Sequence, residues 1–291
     1  MSRDRFQKSF SADSTLSSKM FDLVEATFPG LTSLAECARK LGASWEDAST
    51  PFILFHDDVA ITHVGVLEIP MQIMGEMVTV GGVHGVCTRE EFRRRGYYRE
   101  VMNEVLEYCD QRYETLVLST PNPEFYLPFG FRVVQEHIFK VKCSSTGDTN
   151  GLRTLDLADV KDIALLHRLL ETRVPVSNIV GVVKEKAVFC VDEGSRPLHY
   201  FPDLDAIACM EIEDTQLHLY DLVTTQMYPL QKILDRIPQL IEEVVIYFSP
   251  DLLNVEDVQA FPYAIEEAVL MVRGKFAAEK EKFTLPRSAR C

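Results

Sequence analysis

Residues 86–98 read VCTREEFRRRGYY, so three consecutive arginines and a glycine stand together in a chain whose formal net charge is −14. One interpretation is a solvated run of charge at the start of a helix. The other is a seat for an anion, because the first N–H groups of a helix have no partner inside it and the helix dipole is positive there. Gly96 would let ligand oxygens approach the backbone closely. The segment is not a Walker A loop, since no Gly-Lys-Ser/Thr follows the glycine.

The residues on either side of this segment predict a strand, a helix and a second strand. Met77–Thr88 is rich in β-branched residues, and its glycines are typical of a bulge or of a ligand close to the backbone. From Tyr98 to Cys109 the apolar residues recur at helical spacing and form one continuous stripe. Thr115–Ser119 is typical of a buried strand, which we expect to lie parallel to the first one.

A second segment, NPEFYLPFGF at residues 122–131, predicts a short helix. Asn122 is a favoured N-cap, and proline is favoured at the first helical position that follows it. Pro128 ends this helix after about a turn and a half. Phe131–Val141 is then expected to return as a strand.

The two segments resemble motifs A and B of the GNAT superfamily of N-acetyltransferases. Motif A reads [QR]-x-x-G-x-[GA] after the strand that pairs with acetyl-CoA, and Arg93, Gly96 and Tyr98 stand at its three signature positions. Tyr98 replaces a small residue there. Acetyltransferases of the enhanced-intracellular-survival type also carry three arginines before the glycine and a larger residue at that position. In motif B a tyrosine on a short helix often protonates the departing coenzyme A thiolate, and Tyr126 matches it.

This resemblance implies an α/β (α+β) fold with a GNAT-like mixed twisted sheet flanked by helices. It also implies direct transfer of acetyl from acetyl-CoA, the co-substrate, to a primary amine in a ternary complex, with no metal. The implied cofactor-binding residues are Val86, Cys87, Thr88, Arg93, Arg94, Arg95, Gly96, Tyr97, Tyr98, Arg99 and Asn122. The implied catalytic acid is Tyr126.

The general base is less closely specified by the sequence. His84 is a candidate because it lies two residues before Val86, on the same face of the strand. Glu68 on the preceding strand is an alternative, and so is a base that acts through water. The remaining histidines share no spacing and are interpreted as structural or surface residues.

The order of elements partly repeats beyond the polar segment 143–151, although the arginine–glycine motif does not recur. A helix is expected at Leu155–Glu171, a hairpin at residues 206–223, a helix at Pro229–Glu242 and a strand at Val244–Phe248. We therefore expect a catalytic domain at residues 1–142, a linker at 143–151, a degenerate GNAT-like domain at 152–276 and a loosely ordered tail at 277–291. A ligand-specificity domain of unrelated fold is the alternative for the second half.

Composition limits the partners and the compartment. The acidic balance argues against nucleic acid, and no apolar run approaches the roughly 20 residues that a membrane helix needs. Seven scattered cysteines without a C-x-x-C pair, and a start without an apolar signal region, indicate free thiols in the cytoplasm.

A small amine or peptide amine is the expected acceptor: a polyamine, an aminoglycoside, an amino acid or a protein terminus. An oligomer is compatible with the sequence. The alternative class is a non-catalytic coenzyme A-binding regulatory or scaffold protein.

Overall fold

The structure, a computed structural model, describes Phe10 and residues 15–145, 147, 151–265 and 267–290. Its α-helices are α1 (Leu16–Glu25), α2 (Leu31–Lys40), α3 (Trp45–Ala48), α4 (Tyr97–Asp110), α5 (Val160–Thr172), α6 (Ala187–Glu193) and α7 (Leu230–Leu234). Its first strands are β1 (Ser49–His56), β2 (Val59–Ile73), β3 (Glu76–Thr88), β4 (Thr115–Thr120), β5 (Arg132–Val134), β6 (Glu136–Ser145) and β7 (Arg153–Thr154). The later ones are β8 (Val180–Val182), β9 (Leu198–Phe201), β10 (Ala206–Glu213), β11 (Gln216–Thr224), β12 (Ile241–Ile246), β13 (Gln259–Tyr263) and β14 (Val269–Gly274). Short 3-10 segments lie at Glu90–Phe92, Pro123–Phe125, Leu127–Phe129, Pro250–Leu252 and Arg287–Ala289.

The strands form two mixed sheets with helices against them. The first sheet has the order β1-β2-β3-β4-β14-β5, with β8 added along β2. The second has the order β13-β6-β12-β11-β10-β9-β7. The predicted parallel pairing of the strands around α4 is confirmed, since β3 and β4 are parallel. The mixed α/β class is confirmed with it.

The two sheets exchange strands. Only Gln135 separates β5 in the first sheet from β6 in the second, and β14 returns near the end of the chain to lie between β4 and β5. The prediction of one strand at Phe131–Val141 is therefore wrong. The chain breaks at Gln135, whose side-chain amide donates to the backbone carbonyls of Glu136 and Tyr263 and so ties the break in place.

Helices cover both faces of the first sheet. The predicted apolar stripe of α4 is confirmed, because Val101, Met102, Val105 and Cys109 are fully buried against one face. On the other face α1 buries Leu16, Met20, Leu23 and Val24 beside α2. Burying four such side chains stabilises each helix by several kcal/mol, at about 1.5–3 kcal/mol each. The candidate site lies between these two layers, where the interior strands β3 and β4 pair only in part.

Two predictions for the second half are wrong. The helix expected at Pro229–Glu242 ends at Leu234, and β12 begins at Ile241, because Pro238 can neither donate within a helix nor follow a helical residue easily. The tail expected to be loosely ordered is packed in its described part, where Phe283, Leu285 and Ala289 are buried in the core under the first sheet. Cys291 and residues 146 and 148–150 lie outside the described residues.

Gly274→Ala is expected to destabilise the fold by more than about 2 kcal/mol. Gly274 has φ +83°, and a Cβ there would stand 2.1 Å from the carbonyl oxygen of Glu114, so β14 could not keep its place beside β4. Urea unfolding measures the loss. Gly75→Ala is the matched control, because Gly75 has φ +81° and nothing within 4 Å of the added atom. Its cost should be backbone strain alone, about 1 kcal/mol. Equal losses in the two variants would contradict the expected clash.

Candidate active site

The site begins where β3 and β4 part. Two residue pairs join these parallel strands, Gly81 with Leu116 and Gly82 with Val117. In the described part of the chain no later pair joins them, although β3 continues to Thr88. Backbone groups on this edge of β3 are therefore available to a ligand that enters between the strands.

Gly81 lies at the base of this opening, where side chains from the neighbouring strand and the loop before it pack against its backbone. A Cβ on Gly81 would lie 2.6 Å from Leu116 Cδ2 and 2.8 Å from Tyr113 Cδ2. The register of β3 against β2 shifts between His63 and Gly65, and Gly85 in the shifted region has φ +58°. The bulge, one of the two interpretations of these glycines, is confirmed, and it lies within the open segment.

The backbone after β3 forms a concave row of donors. Arg94 has φ +61° and Gly96 has φ +85°, and α4 makes its first hydrogen bond from Glu100 N to Gly96 O at 3.1 Å. The N–H groups of residues 94–99 donate to no acceptor among the described residues. Successive free N–H groups at a left-handed turn and a helix N-terminus attract anions.

Exposed arginines surround these donors, namely Arg93, Arg94, Arg95 and Arg99. Arg93 Nε donates to the carbonyl oxygen of Thr88 at 3.0 Å, and the Arg95 guanidinium lies 5.4 Å from the centre of the Phe92 ring. Within the described ranges, none of the four forms an ion pair with a carboxylate. Their positive charge is therefore uncompensated, unlike that of Arg89, which pairs with Asp22.

Tyr126 lies between the two 3-10 segments that follow β4. Its side chain is buried, and burial raises the pKa of its hydroxyl to about 12, partly offset by a hydrogen bond with Thr120. Its ring meets those of Tyr98 and Phe131 at centroid distances of 6.2 and 6.1 Å. Tyr98 Oη in turn donates to the carbonyl oxygen of Phe125 at 3.2 Å. The large residue at the last motif A position therefore holds the segment that carries Tyr126.

The remaining predicted cofactor residues lie around the same opening. Val86 and Tyr97 are half-buried against the α4 side of the sheet, and exposed Asn122 follows β4, its N–H donating to Thr120 Oγ1 at 3.1 Å. Thr88 Oγ1 is 3.3 Å from Thr62 Oγ1. Burial raises the pKa of the Cys87 thiol to about 12, so this cysteine is no thiolate nucleophile at neutral pH.

His84 lies on the opposite face from Val86, under α1 and α3, so the prediction that these two residues share a face is wrong. The register shift between them changes the alternation of the strand. It is buried, its Nε2 is 2.8 Å from Ser49 Oγ, and its ring meets Trp45 edge-on at 4.8 Å. Burial, with a smaller contribution from His63, holds its pKa well below the usual value for histidine. The alternative base Glu68 accepts a hydrogen bond from Tyr113 Oη at 2.9 Å.

Sequence reasoning missed His63, whose ring is 5.9 Å from that of His84. The available signal was a pair of glycines on the facing strands. A Cβ on Gly65 would lie 2.1 Å from His84 Nε2, and one on Gly85 would lie 3.0 Å from His63 Cε1. Each imidazole therefore occupies the space over a glycine of the neighbouring strand.

The described residues contain no group of three or more histidine, cysteine, aspartate or glutamate side chains arranged to hold a metal ion. They also contain no helix whose length and apolar character would let it cross a bilayer.

Residues 11–134 match the family model described as an acetyltransferase (GNAT) domain. Comparison with curated proteins finds no significant match. A probable N-acyltransferase from Enterococcus faecalis V583, a conserved protein of unknown function, is similar in structure, with 15% identity, a TM-score of 0.58 and coverage of 93% of this chain and 72% of that one. Eis1 from Mycobacterium abscessus gives 14% identity, a TM-score of 0.59 and coverage of 93% and 72%.

A GCN5-related N-acetyltransferase from Anabaena variabilis is similar to the same degree, with 14% identity, a TM-score of 0.57 and coverage of 92% and 72%. At these identities the likeness shows a shared fold. Because it covers more than nine tenths of this chain, it includes both sheets.

Proposed function

We propose that the chain transfers acetyl from acetyl-CoA directly to a primary amine in a ternary complex, and the match of residues 11–134 to the acetyltransferase (GNAT) domain model supports this proposal. The observation that carries this proposal is the opening between β3 and β4, with free N–H groups at one end and Tyr126 beside it. We assign the co-substrate and catalytic residues to the segment 1–142 and no co-substrate site to the degenerate segment 152–276, with 143–151 as the linker. The two segments are not separate bodies, because β14 completes the first sheet and β6 belongs to the second. The acceptor is an amine, and the compartment is the cytoplasm.

The pyrophosphate of the co-substrate would be held by the turn before α4. Six consecutive backbone N–H groups and the guanidinium groups of Arg94 and Arg95 would donate hydrogen bonds to the phosphate oxygens. The space beside Gly96 is open, so these oxygens could approach the backbone there. Arg93 would act through the turn, because its guanidinium is already bonded to Thr88. The edge of β3 from Val86 to Thr88 would bind the amide groups of the pantetheine arm.

Tyr126 would supply the proton to the departing thiolate. With its pKa raised to about 12, the hydroxyl is protonated throughout the neutral range. A coenzyme A thiolate released into apolar surroundings would itself be disfavoured by burial, which favours the transfer of a proton to it from Tyr126.

We propose a role for His84 other than that of a simple general base. An imidazole whose pKa lies well below the usual value is neutral at pH 7 and holds a proton poorly. We therefore propose that His84 contacts the acceptor side of the site as a neutral group. The acceptor would then lose its ammonium proton to water before transfer.

Calorimetry tests the co-substrate site. We expect one acetyl-CoA per chain, and a severalfold loss of affinity in Arg94→Gln and Arg95→Gln, with a weaker dependence on salt. A pantetheine fragment without the pyrophosphate should bind these variants as it binds the parent protein. Arg168→Gln, in an exposed ion pair with Asp205 on the second half, is the matched control. Two sites per chain, or equal losses for both ligands, would contradict the proposal.

A further inference from the structure

A small cavity lies on the His84 side of β3, between the first sheet and helices α1 to α3. Its walls include Met20, Phe21, Val24, Trp45, His63 and His84. It has room for about one water-sized group. Gly85 also lines it, and the next residue begins the segment assigned to pantetheine. The cavity and the proposed co-substrate opening therefore share the strand β3.

His63 presents an unused hydrogen-bonding atom at this cavity. The side chain is 1% exposed, and its Nδ1 lies 2.7 Å from the carbonyl oxygen of Gly85. A carbonyl can only accept, so Nδ1 carries the hydrogen and Nε2 keeps its lone pair. Nε2 is buried and has no partner among the described residues. A buried polar atom without a partner costs about 1–3 kcal/mol, which a bound donor would recover.

Charge is absent from the lining. No aspartate, glutamate, lysine or arginine of the described chain is among the lining residues. Two carboxylates on the surrounding helices have partners elsewhere, since Asp22 pairs with Arg89 and Glu46 with Arg39 and Ser17. An ammonium ion here would lose its hydration without gaining a counter-ion, whereas a neutral amine would lose little.

We propose that this cavity receives the amino group of the acceptor in its neutral form, and that His63 Nε2 accepts a hydrogen bond from it. The acceptors are weakly basic or apolar primary amines carried on an aromatic or aliphatic body, in preference to polyamines. This inference rests on the proposed acetyltransferase activity. It adds a substrate class and a positioning residue to it.

The transfer balances without another reactant. The neutral nitrogen forms the bond to the acetyl carbon while the carbon–sulfur bond breaks. One amine proton leaves to water, and the thiolate takes the proton of Tyr126, which water then replaces. His63 orients the nitrogen lone pair and keeps its own protonation state.

Rates of acetylation with three acceptors test the substrate class. We expect kcat/KM for 2-phenylethylamine to exceed that for spermidine by at least about tenfold. For 2-phenylethylamine it should rise about tenfold per pH unit below the pKa of that amine, because only the neutral form enters. With aniline, already neutral, it should stay flat from about pH 6 to 9. A profile with one inflection common to all three acceptors would instead indicate a titrating protein group and would overturn the inference.

Substitution of His63 tests its role. His63→Phe keeps an aromatic ring and removes the acceptor atom, so kcat/KM for 2-phenylethylamine should fall about tenfold through KM, with acetyl-CoA affinity unchanged. His63→Gln, which offers a carbonyl oxygen, should recover part of the loss. His199→Phe, on β9 in the second sheet, is the control that should change nothing. An unchanged KM in a folded His63→Phe protein would overturn the inference.

A measurement on the parent protein covers the case in which these variants do not fold. The ¹⁵N resonance of His63 Nε2 should shift upfield when 2-phenylethylamine is added in the presence of coenzyme A, and should not respond to spermidine. No shift, or the same shift with both amines, would overturn the inference.

Acetylation of spermidine with 2-phenylethylamine inert would overturn this inference alone. Acetylation of no amine at all would overturn the proposed function as well.

Discussion

Replacing Tyr126 with phenylalanine is expected to lower kcat about 10²-fold while the affinity for acetyl-CoA persists. The change removes the proton donor and keeps the ring that packs against Tyr98 and Phe131. Steady-state kinetics and calorimetry on the same preparations separate turnover from binding. Tyr108→Phe, on α4 with its ring under the Arg112 guanidinium, is the control expected to keep full activity.

Two outcomes would contradict this expectation in different ways. Equal kcat in the parent and the Tyr126→Phe protein would mean that solvent or another group protonates the thiolate. Turnover of no amine by either protein, over a broad panel, would favour a non-catalytic coenzyme A-binding role.

The pH dependence of kcat provides a second test of Tyr126. A general acid must be protonated, and activity that depends on it falls as pH rises through its pKa. Because burial raises the pKa of Tyr126 to about 12, we expect no loss of kcat from this group between about pH 7 and 10. An alkaline loss in that range that persists in Tyr126→Phe would belong to another group, and one that disappears in the variant would contradict the raised pKa.

The largest expected effect on stability is that of Asp221→Ala. Asp221 and Arg173 form an ion pair with both side chains fully buried, with Arg173 donating at 2.6 and 3.1 Å. Ser288 Oγ donates to the same carboxylate at 3.0 Å and so ties the end of the chain to it. Removing the carboxylate leaves a buried guanidinium without a counter-ion, so we expect a loss of about 3–5 kcal/mol in the free energy of unfolding.

Urea unfolding of three proteins isolates this effect. Glu279→Ala breaks an exposed pair with Arg132 and should cost less than about 1 kcal/mol. The double variant Arg173→Met with Asp221→Leu removes both charges, and should be more stable than Asp221→Ala alone. A loss in Asp221→Ala no greater than that in Glu279→Ala would show that the charge is hydrated after the substitution.

Local patterns made the first half predictable. The stripe of α4 and the parallel strands on either side of it depend on spacing within about 45 residues, and the turn before α4 depends on the residue types at positions 93–96. Gly96 has a positive φ, which glycine adopts without strain. The residue type alone is therefore enough to predict a turn at this position.

Features set by distant contacts were not predictable from one sequence. Gln135 separates two strands because Tyr263, far along the chain, accepts from its side chain. The tail is buried because apolar side chains among its charges meet the first sheet. The approach of His63 to His84 depends on the register shift between β2 and β3, which no local spacing encodes. In each case the decisive neighbour is remote in sequence, and single-sequence patterns carry no information about it.

The position of β14 has a consequence for synthesis on the ribosome. β5 ends at Val134 and its partner β14 begins at Val269, so roughly 130 residues must be added before the sheet under the proposed site can close. At about 5–20 residues per second this takes about 7–26 s, during which β4 and β5 have no strand between them. A nascent chain stalled before β14 would present those two edges together, so chaperones that recognise exposed strands should engage the growing polypeptide in that interval and release it once β14 emerges.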